Sequence, residues 1–368
     1  MVFQTLIVYI SLSIILYFAS KRAESAGLNQ LIIAMVVYAV IFGLRLGVGV
    51  DFWGYKQWYD LAYAGLGVND NSELGFNLLI KICVALGMPF SVFLTIIAFM
   101  QIYLIFLSIK PYKSVYPMLA LTFMLGCIWL TYANGLRQQL AFCIFAYSIQ
   151  FISNKSLLKH YACIILACAF HSSAILLVPF YLLFYLRIEW FKNIGIQLVL
   201  FVIALIASTM SIVTNLVEPV EQFAELLGYG YYFNNSKYEF ATEVHIGIGY
   251  FINLFVVLII IVNSNYVKRF YDNSFIRIIY DLFFIGVLWH YIFIDSQLFS
   301  RINYYFYGFQ YIFAAFSLVA LRQKRRVCFY LLLILYILIF IATLYRMSEN
   351  TSLFVFNWQH YQFPNIVL

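Results

Sequence analysis

Charge is the scarcest thing in this sequence. Asp, Glu, Lys and Arg make up 10% of its 368 residues and apolar side chains 65%, where a soluble domain carries about 25% and 45–50%. A water-soluble globular fold is excluded on that ground alone. Recognisable catalytic templates are missing too. The chain has no HExxH, no GxxxxGK[ST] phosphate loop, no GxSxG and no CxxC pair, so zinc chemistry, nucleotide hydrolysis and serine hydrolysis have no template to rest on. All six cysteines (Cys83, Cys127, Cys143, Cys163, Cys168, Cys328) fall in or beside apolar stretches. They read as small core residues, with neither a disulfide framework nor a metal site expected. No basic stretch precedes the first apolar run and no small-residue cleavage site follows it, so residues 2–20 read as a retained span. No internal repeat, low-complexity linker or soluble domain is apparent.

The few charges present are sorted. Fifteen of the 22 basic residues lie in six clusters: Lys21/Arg22, Lys110/Lys113, Lys155/Lys159, Arg187/Lys192, Lys268/Arg269/Arg277 and Arg322/Lys324/Arg325/Arg326. Basic residues accumulate in cytoplasmic loops, so the clusters mark an inner face, and the net charge of +7 suits anionic lipid headgroups rather than nucleic acid. With about 20 apolar residues needed per crossing, candidate spans fall at 2–20, 28–47, 90–109, 114–132, 136–153, 157–170, 172–186, 193–213, 244–263, 275–294, 301–321 and 327–346. The expected fold is all-α: a polytopic integral membrane helical bundle of about 12 transmembrane helices, one domain over 1–368, with both termini outside. The apolar stretch near 74–88 is short and carries Lys81, which suits an interfacial or re-entrant helix. Larger outer segments are expected at 48–73 and 214–243 and in the tail 347–368.

Within 157–186 both flanks are basic, so the chain must turn back, and Ala169-Phe170-His171-Ser172-Ser173 is the polar break where it does so. Three other basic residues stand at outer ends of spans. Arg45 precedes Gly47, Gly49 and Asp51, whose glycines permit an irregular exit that brings Arg45 and Asp51 together. Arg137 opens a span after Asn134-Gly135, and Arg301 opens another ahead of Asn303-Tyr304-Tyr305. An arginine in the first turn of a helix opposes the helix dipole unless an anion sits over it. Each also has a structural reading, as an interfacial anchor, and His171 reads equally as a satisfied core group. His290 and Asp281 lie inside spans, where internal hydrogen bonding accounts for them.

Arginines at one face, with Trp53, Tyr55, Trp58 and Tyr59 nearby, suit an anionic lipid pyrophosphate bearing a saccharide. The patterns Arg45-x-x-x-Gly49-x-Asp51-x-x-x-Tyr55, Glu73-x-Gly75-Phe76, Arg137-Gln138-Gln139-x-Ala141 and Ala169-Phe170-His171-Ser172-Ser173 occur in that order, followed by Arg301 with Tyr304-Tyr305. In these the chain resembles the EpsG branch of Wzy-type polysaccharide polymerases. The resemblance implies polymerisation of undecaprenyl-pyrophosphate-linked oligosaccharide repeat units into O-antigen or exopolysaccharide at the outer (periplasmic) face of the bacterial cytoplasmic membrane. It implies no metal and no cofactor, and partnership with a flippase and a chain-length regulator. On this reading Arg45, Arg137 and Arg301 hold the pyrophosphate, and Arg137 and Arg301 stabilise its departure. His171 or Asp51 handles the acceptor proton, while Trp53, Tyr55 and Tyr304 meet the sugar. A flippase for the same lipid-linked oligosaccharide, an O-antigen ligase and an accessory membrane scaffold remain as alternatives.

Overall fold

The computed structural model describes residues 2–47, 49, 51–67, 73–186, 189–209, 247–294 and 297–349. Two of the expected outer segments, 214–243 and the tail from 350 onward, lie outside the described residues, as does part of 48–73. Everything regular among the described residues is helical. In chain order the helices are α1 (Val2–Ala26), α2 (Ile32–Gly43), α3 (Phe52–Tyr63), α4 (Leu74–Ala85), α5 (Phe90–Ser108), α6 (Tyr116–Leu125), α7 (Trp129–Asn134) and α8 (Leu136–Ser153). They continue with α9 (Leu157–Phe170), α10 (Phe180–Tyr185), α11 (Ile194–Thr209), α12 (Ile248–Tyr271), α13 (Ser274–Ile292), α14 (Gln297–Lys324) and α15 (Arg326–Glu349).

Five of these are long and apolar enough to cross a membrane: Phe90–Ser108, Ile248–Tyr271, Ser274–Ile292, Phe299–Lys324 and Arg326–Tyr345. Large apolar side chains such as Ile33, Leu158 and Ile165 stand exposed on the outside of the bundle, which only a lipid-facing surface tolerates in such density. The chain is therefore a polytopic membrane protein.

The expectation of about 12 transmembrane helices is overturned. A hydropathy run records composition and is blind to where the backbone breaks. Run 28–47 divides into a 3-10 turn, Leu28–Leu31, and the 12-residue α2. Run 114–132 is split between α6 and α7 at Gly126 and Cys127, the latter in the left-handed region at φ 54. Helix α9 has 14 residues, and after it come a 3-10 segment, Ser172–Leu177, and the six residues of α10. Helix α11 stops at 16. A 12-residue helix rises about 18 Å, against a hydrocarbon core of about 30 Å. Helices α1 and α8 are longer, but α1 ends on Lys21, Arg22 and Glu24, and α8 opens on Arg137-Gln138-Gln139. The expectation of both termini outside, which needs an even number of crossings with every basic cluster inside, loses its support with the count. The stretch 48–73, expected as a loop, contains α3, and a 12-residue helix, α4, forms within 74–88.

The chain divides into two compact units. The first, Met1–Ile188 with Ala314–Leu368, is built on α2 against α5, α8 against α9 and α5, and α1 against α6. Its core is aromatic: Trp129, fully buried, stacks on Tyr9 at 4.1 Å and meets Phe42 at 5.6 Å. A Cβ on Gly43 would lie 1.8 Å from Thr95 Oγ1, so glycine is what lets α2 lie this close to α5. The buried Gln101 of α5 donates to the Leu136 carbonyl at 3.2 Å and so secures the first turn of α8.

The second unit, Glu189–Phe313, packs α11 and α12 against α13. Helix α12 ends at Asp272 in the left-handed conformation, φ 41, and α13 begins with a side-chain cap, Asn273 Oδ1 accepting from Phe275 N–H at 2.8 Å. An ionic knot fastens the segment that opens this unit. The buried Lys268 ammonium pairs with Glu189 and donates to the Phe191 carbonyl at 2.7 Å. The buried Asp281 accepts from Trp190 N–H at 3.3 Å.

Candidate functional site

Glu73 stands immediately before α4 in extended conformation, φ −68 and ψ 145, and its carbonyl receives the Asn77 N–H at 3.0 Å. Its side chain is thereby turned away from its own helix. One position later but one, Gly75 faces the last turn of α9: a Cβ there would lie 2.9 Å from the Ala169 carbonyl oxygen and 3.1 Å from the Ala169 Cβ. Any side chain would force the two helices apart. Their close approach carries the Glu73 carboxylate to the end of α9, where the backbone leaves the helix at His171, φ −154 and ψ 114.

Three side chains from three helix ends meet there. Glu73 Oε1 lies 2.8 Å from His171 Nδ1 and also receives the Ser172 N–H at 3.3 Å and the Ser172 hydroxyl at 3.4 Å. Glu73 Oε2 receives Nη1–H of Arg137, the second residue of α8, in a close ion pair. The side chains are 11% exposed for Glu73, 20% for Arg137 and 19% for His171, so the group is sheltered yet reachable. The Arg137 guanidinium also bonds to the hydroxyl of buried Tyr55 on α3. It lies 5.0 Å from the Trp58 ring centroid and 5.8 Å from that of Phe76, within cation–π range of both. Arg137 Nε is buried and has no hydrogen-bond partner among the described residues.

Burial would raise the Glu73 carboxyl. The His171 hydrogen bond and the Arg137 charge outweigh it and hold the group down at about 2. Glu73 is a carboxylate at neutral pH and so accepts hydrogen bonds only. Among the described residues His171 Nε2 takes no hydrogen bond, so the imidazole keeps one nitrogen for other chemistry.

The remaining residues singled out from sequence fall around this cluster or apart from it. Asn134, at the end of α7, accepts the Asp51 N–H at 3.1 Å and ties the start of α3 to the entry of α8. Asp51 itself is exposed at that corner. Arg45 is 4% exposed and donates to the carbonyls of Phe42 and, at 2.7 Å, Ala133. It works here as a brace between the exit of α2 and α7. Trp53 is 58% exposed on α3. Residues two apart on a helix point to nearly opposite sides, which is why Tyr55 reaches Arg137 while Trp53 faces outward. Arg301, exposed, and Tyr304, half-buried, belong to the first turns of α14 in the second unit.

The sequence reading of the site omitted Glu73, the residue on which the other two converge. A signal for it was present in Glu73-x-Gly75-Phe76, an acid and a glycine directly ahead of an apolar helix. The anion that Arg137 requires at a helix start is, in this structure, the chain's own carboxylate. Among the described residues no three His, Cys, Asp or Glu side chains converge as a metal ion would need.

No curated protein and no solved structure matches the chain. The model of one family does, across residues 28–363. The aligned region takes in every residue of the Glu73–Arg137–His171 cluster, and the chain belongs to the EpsG family.

Proposed function

We propose that this protein is a membrane glycosyltransferase that polymerises undecaprenyl-pyrophosphate-linked oligosaccharide repeat units into O-antigen or exopolysaccharide, at the outer face of the cytoplasmic membrane. EpsG membership, the polytopic helical bundle and the outlying arginines support this reading. The observation that carries it is the meeting of Arg137 and His171 on one sheltered carboxylate at the ends of α8 and α9.

Glycosyl transfer from a lipid pyrophosphate starts with a good leaving group, so positioning and electrostatics supply most of what the reaction needs. An acceptor hydroxyl on one repeat unit attacks the anomeric carbon of another. The bond from that carbon to the pyrophosphate oxygen breaks, and undecaprenyl pyrophosphate departs with the electron pair. His171 Nε2, or Asp51 at the neighbouring corner, takes the hydroxyl proton. Arg137 is already neutralised by Glu73, so the pyrophosphate charge falls in part to other arginines. Among them, Arg45 is engaged with carbonyls and contributes at longer range. A flippase and a chain-length regulator of the same pathway would supply substrate and set product length.

The test uses purified protein in lipid, a lipid-pyrophosphate-linked repeat unit as sole substrate, and EDTA. A ladder of longer lipid-linked chains, formed without nucleotide sugar, supports the proposal. Folded protein that moves the substrate across the bilayer without lengthening it would make the chain a flippase instead.

A further inference from the structure

From the contacts of its two oxygens we infer that Glu73 is a positioning residue, which fixes the His171 ring with its proton on Nδ1 and presents Nε2 as a bare lone pair. The inference deepens the glycosyl-transfer reading and rests on it for the use to which that lone pair is put.

The argument begins with hydrogen-bond bookkeeping. A carboxylate has no proton to give, so the 2.8 Å contact between Glu73 Oε1 and His171 Nδ1 requires the hydrogen to sit on the ring nitrogen. In a neutral imidazole the other nitrogen is then unprotonated. The carboxylate is itself prevented from turning. Oε2 is bound by Arg137, whose guanidinium is held in turn by the Tyr55 hydroxyl and lies within cation–π range of the rings of Trp58 and Phe76. Oε1 has, besides the imidazole, the N–H and hydroxyl of Ser172. Each oxygen thus has an assigned partner, and rotation of the carboxylate would break contacts on both sides. The glycine at position 75 lets the carboxylate come this near, because the Ala169 carbonyl excludes a Cβ there.

Glu73 is unsuited to serve as the base directly. Held down at about 2, it has little appetite for a proton at neutral pH, and both its oxygens are occupied. What it does instead is hold the imidazole it faces in one orientation and one tautomer, as an oriented carboxylate does for histidine elsewhere in enzyme chemistry. The charged groups that face His171 are Glu73, from the start of α4, and across that carboxylate Arg137, from α8; the polar groups beside it are those of Ser172. Glu73 acts on the ring directly, and Arg137 acts by holding Glu73 in place.

Full-length protein in lipid nanodiscs, labelled with 15N-histidine, tests this. His171 signals are assigned by their loss in His171→Asn. In the wild type the neutral His171 ring should carry its proton on Nδ1, and in Glu73→Gln, whose amide can donate as well as accept, that fixed tautomer should be lost. A wild-type ring protonated on Nε2 overturns the inference, and so does a tautomer left unchanged by Glu73→Gln. If Glu73→Gln does not fold, the wild-type tautomer alone decides. This outcome is separable from the function proposed above. A folded wild type that yields no polymer from lipid-pyrophosphate repeat units defeats glycosyl transfer, yet leaves the ring's tautomer as measured.

Discussion

Glu73 and Arg137, 64 residues apart in the chain, close an ion pair between the start of α4 and the start of α8. The first turn of a helix repels a cation, and a carboxylate placed against that cation removes the penalty. Arg137→Lys keeps the charge but forfeits the planar contact with Glu73, Tyr55 and the flanking rings. Polymer yield should fall by about 10–100-fold, the range of lost supporting contacts, with the protein still in the membrane and single repeat units still reaching the surface. Gel analysis of polysaccharide beside a membrane immunoblot reads both. Loss of the single units as well would mean that transport, not polymerisation, had failed.

His171→Ala should abolish polymer while leaving protein in the membrane at wild-type level, since the imidazole is the group offered for proton transfer. A variant that merely lowers the amount of protein, with polymer falling in proportion, would return His171 to the core.

Helix approach supplies a third test. Gly75→Ala places a methyl 2.9 Å from the Ala169 carbonyl oxygen, an overpacking that costs about 1–3 kcal/mol and draws Glu73 away from His171. Polymer should decrease sharply. Gly54→Ala, on the open side of α3 with no atom within 4 Å of the added carbon, should be silent in the same assay. Equal behaviour of the two variants would disconnect the approach of α4 and α9 from activity.

Acid should loosen the first unit in a defined window. The Glu73 carboxyl is held down at about 2 in the folded protein against 4.5 as its ordinary value. A depressed acid stabilises the fold fully above the ordinary value and loses that contribution as pH falls toward the folded one. The contribution amounts to about 1–3 kcal/mol at neutral pH. Thermal unfolding in nanodiscs should therefore show a midpoint falling between pH 4.5 and 2, and Glu73→Gln should flatten that slope. A slope preserved in the variant assigns the acid sensitivity to another carboxyl.

In the second unit, Lys268→Met leaves the partly buried Glu189 without its ion-pair partner. Removing one partner of such a group costs about 3–5 kcal/mol, so this variant should accumulate poorly. The double variant Lys268→Met with Glu189→Gln should recover part of the loss. An immunoblot of membranes checks both, and undiminished single-variant protein would mean the knot carries no stability.

The helical class and the polar breaks were legible from residues alone, because Arg137 and His171 are polar groups planted in apolar runs and such groups need a reason. Glu73 stood in a recognisable motif, Glu73-x-Gly75-Phe76, but its role was hidden for the opposite cause. A carboxylate between a polar segment and an apolar helix reads as ordinary solvent-facing sequence, and only the contact of Gly75 with Ala169 turns it inward. Helix number was illegible because composition is conserved across a break: nothing in the apolar run 114–132 announces that Cys127 adopts φ 54 and ends a helix. Arg45 was legible as a cation at the end of an apolar run but not as a buried brace, since its acceptors are backbone carbonyls that every residue possesses.

The guanidinium resting 5.0 Å from the ring of Trp58 gives the site an optical voice. A positive charge against an indole shifts its excited-state energy and alters its emission. In a chain whose five other tryptophans (Trp53, Trp129, Trp190, Trp289 and Trp358) are replaced by phenylalanine, indole emission, excited beyond the absorption of the tyrosines, would come from Trp58 alone. Any event that draws Arg137 away, whether an arriving anion or the loss of Glu73, would then register as a change in colour, in real time and without a labelled substrate.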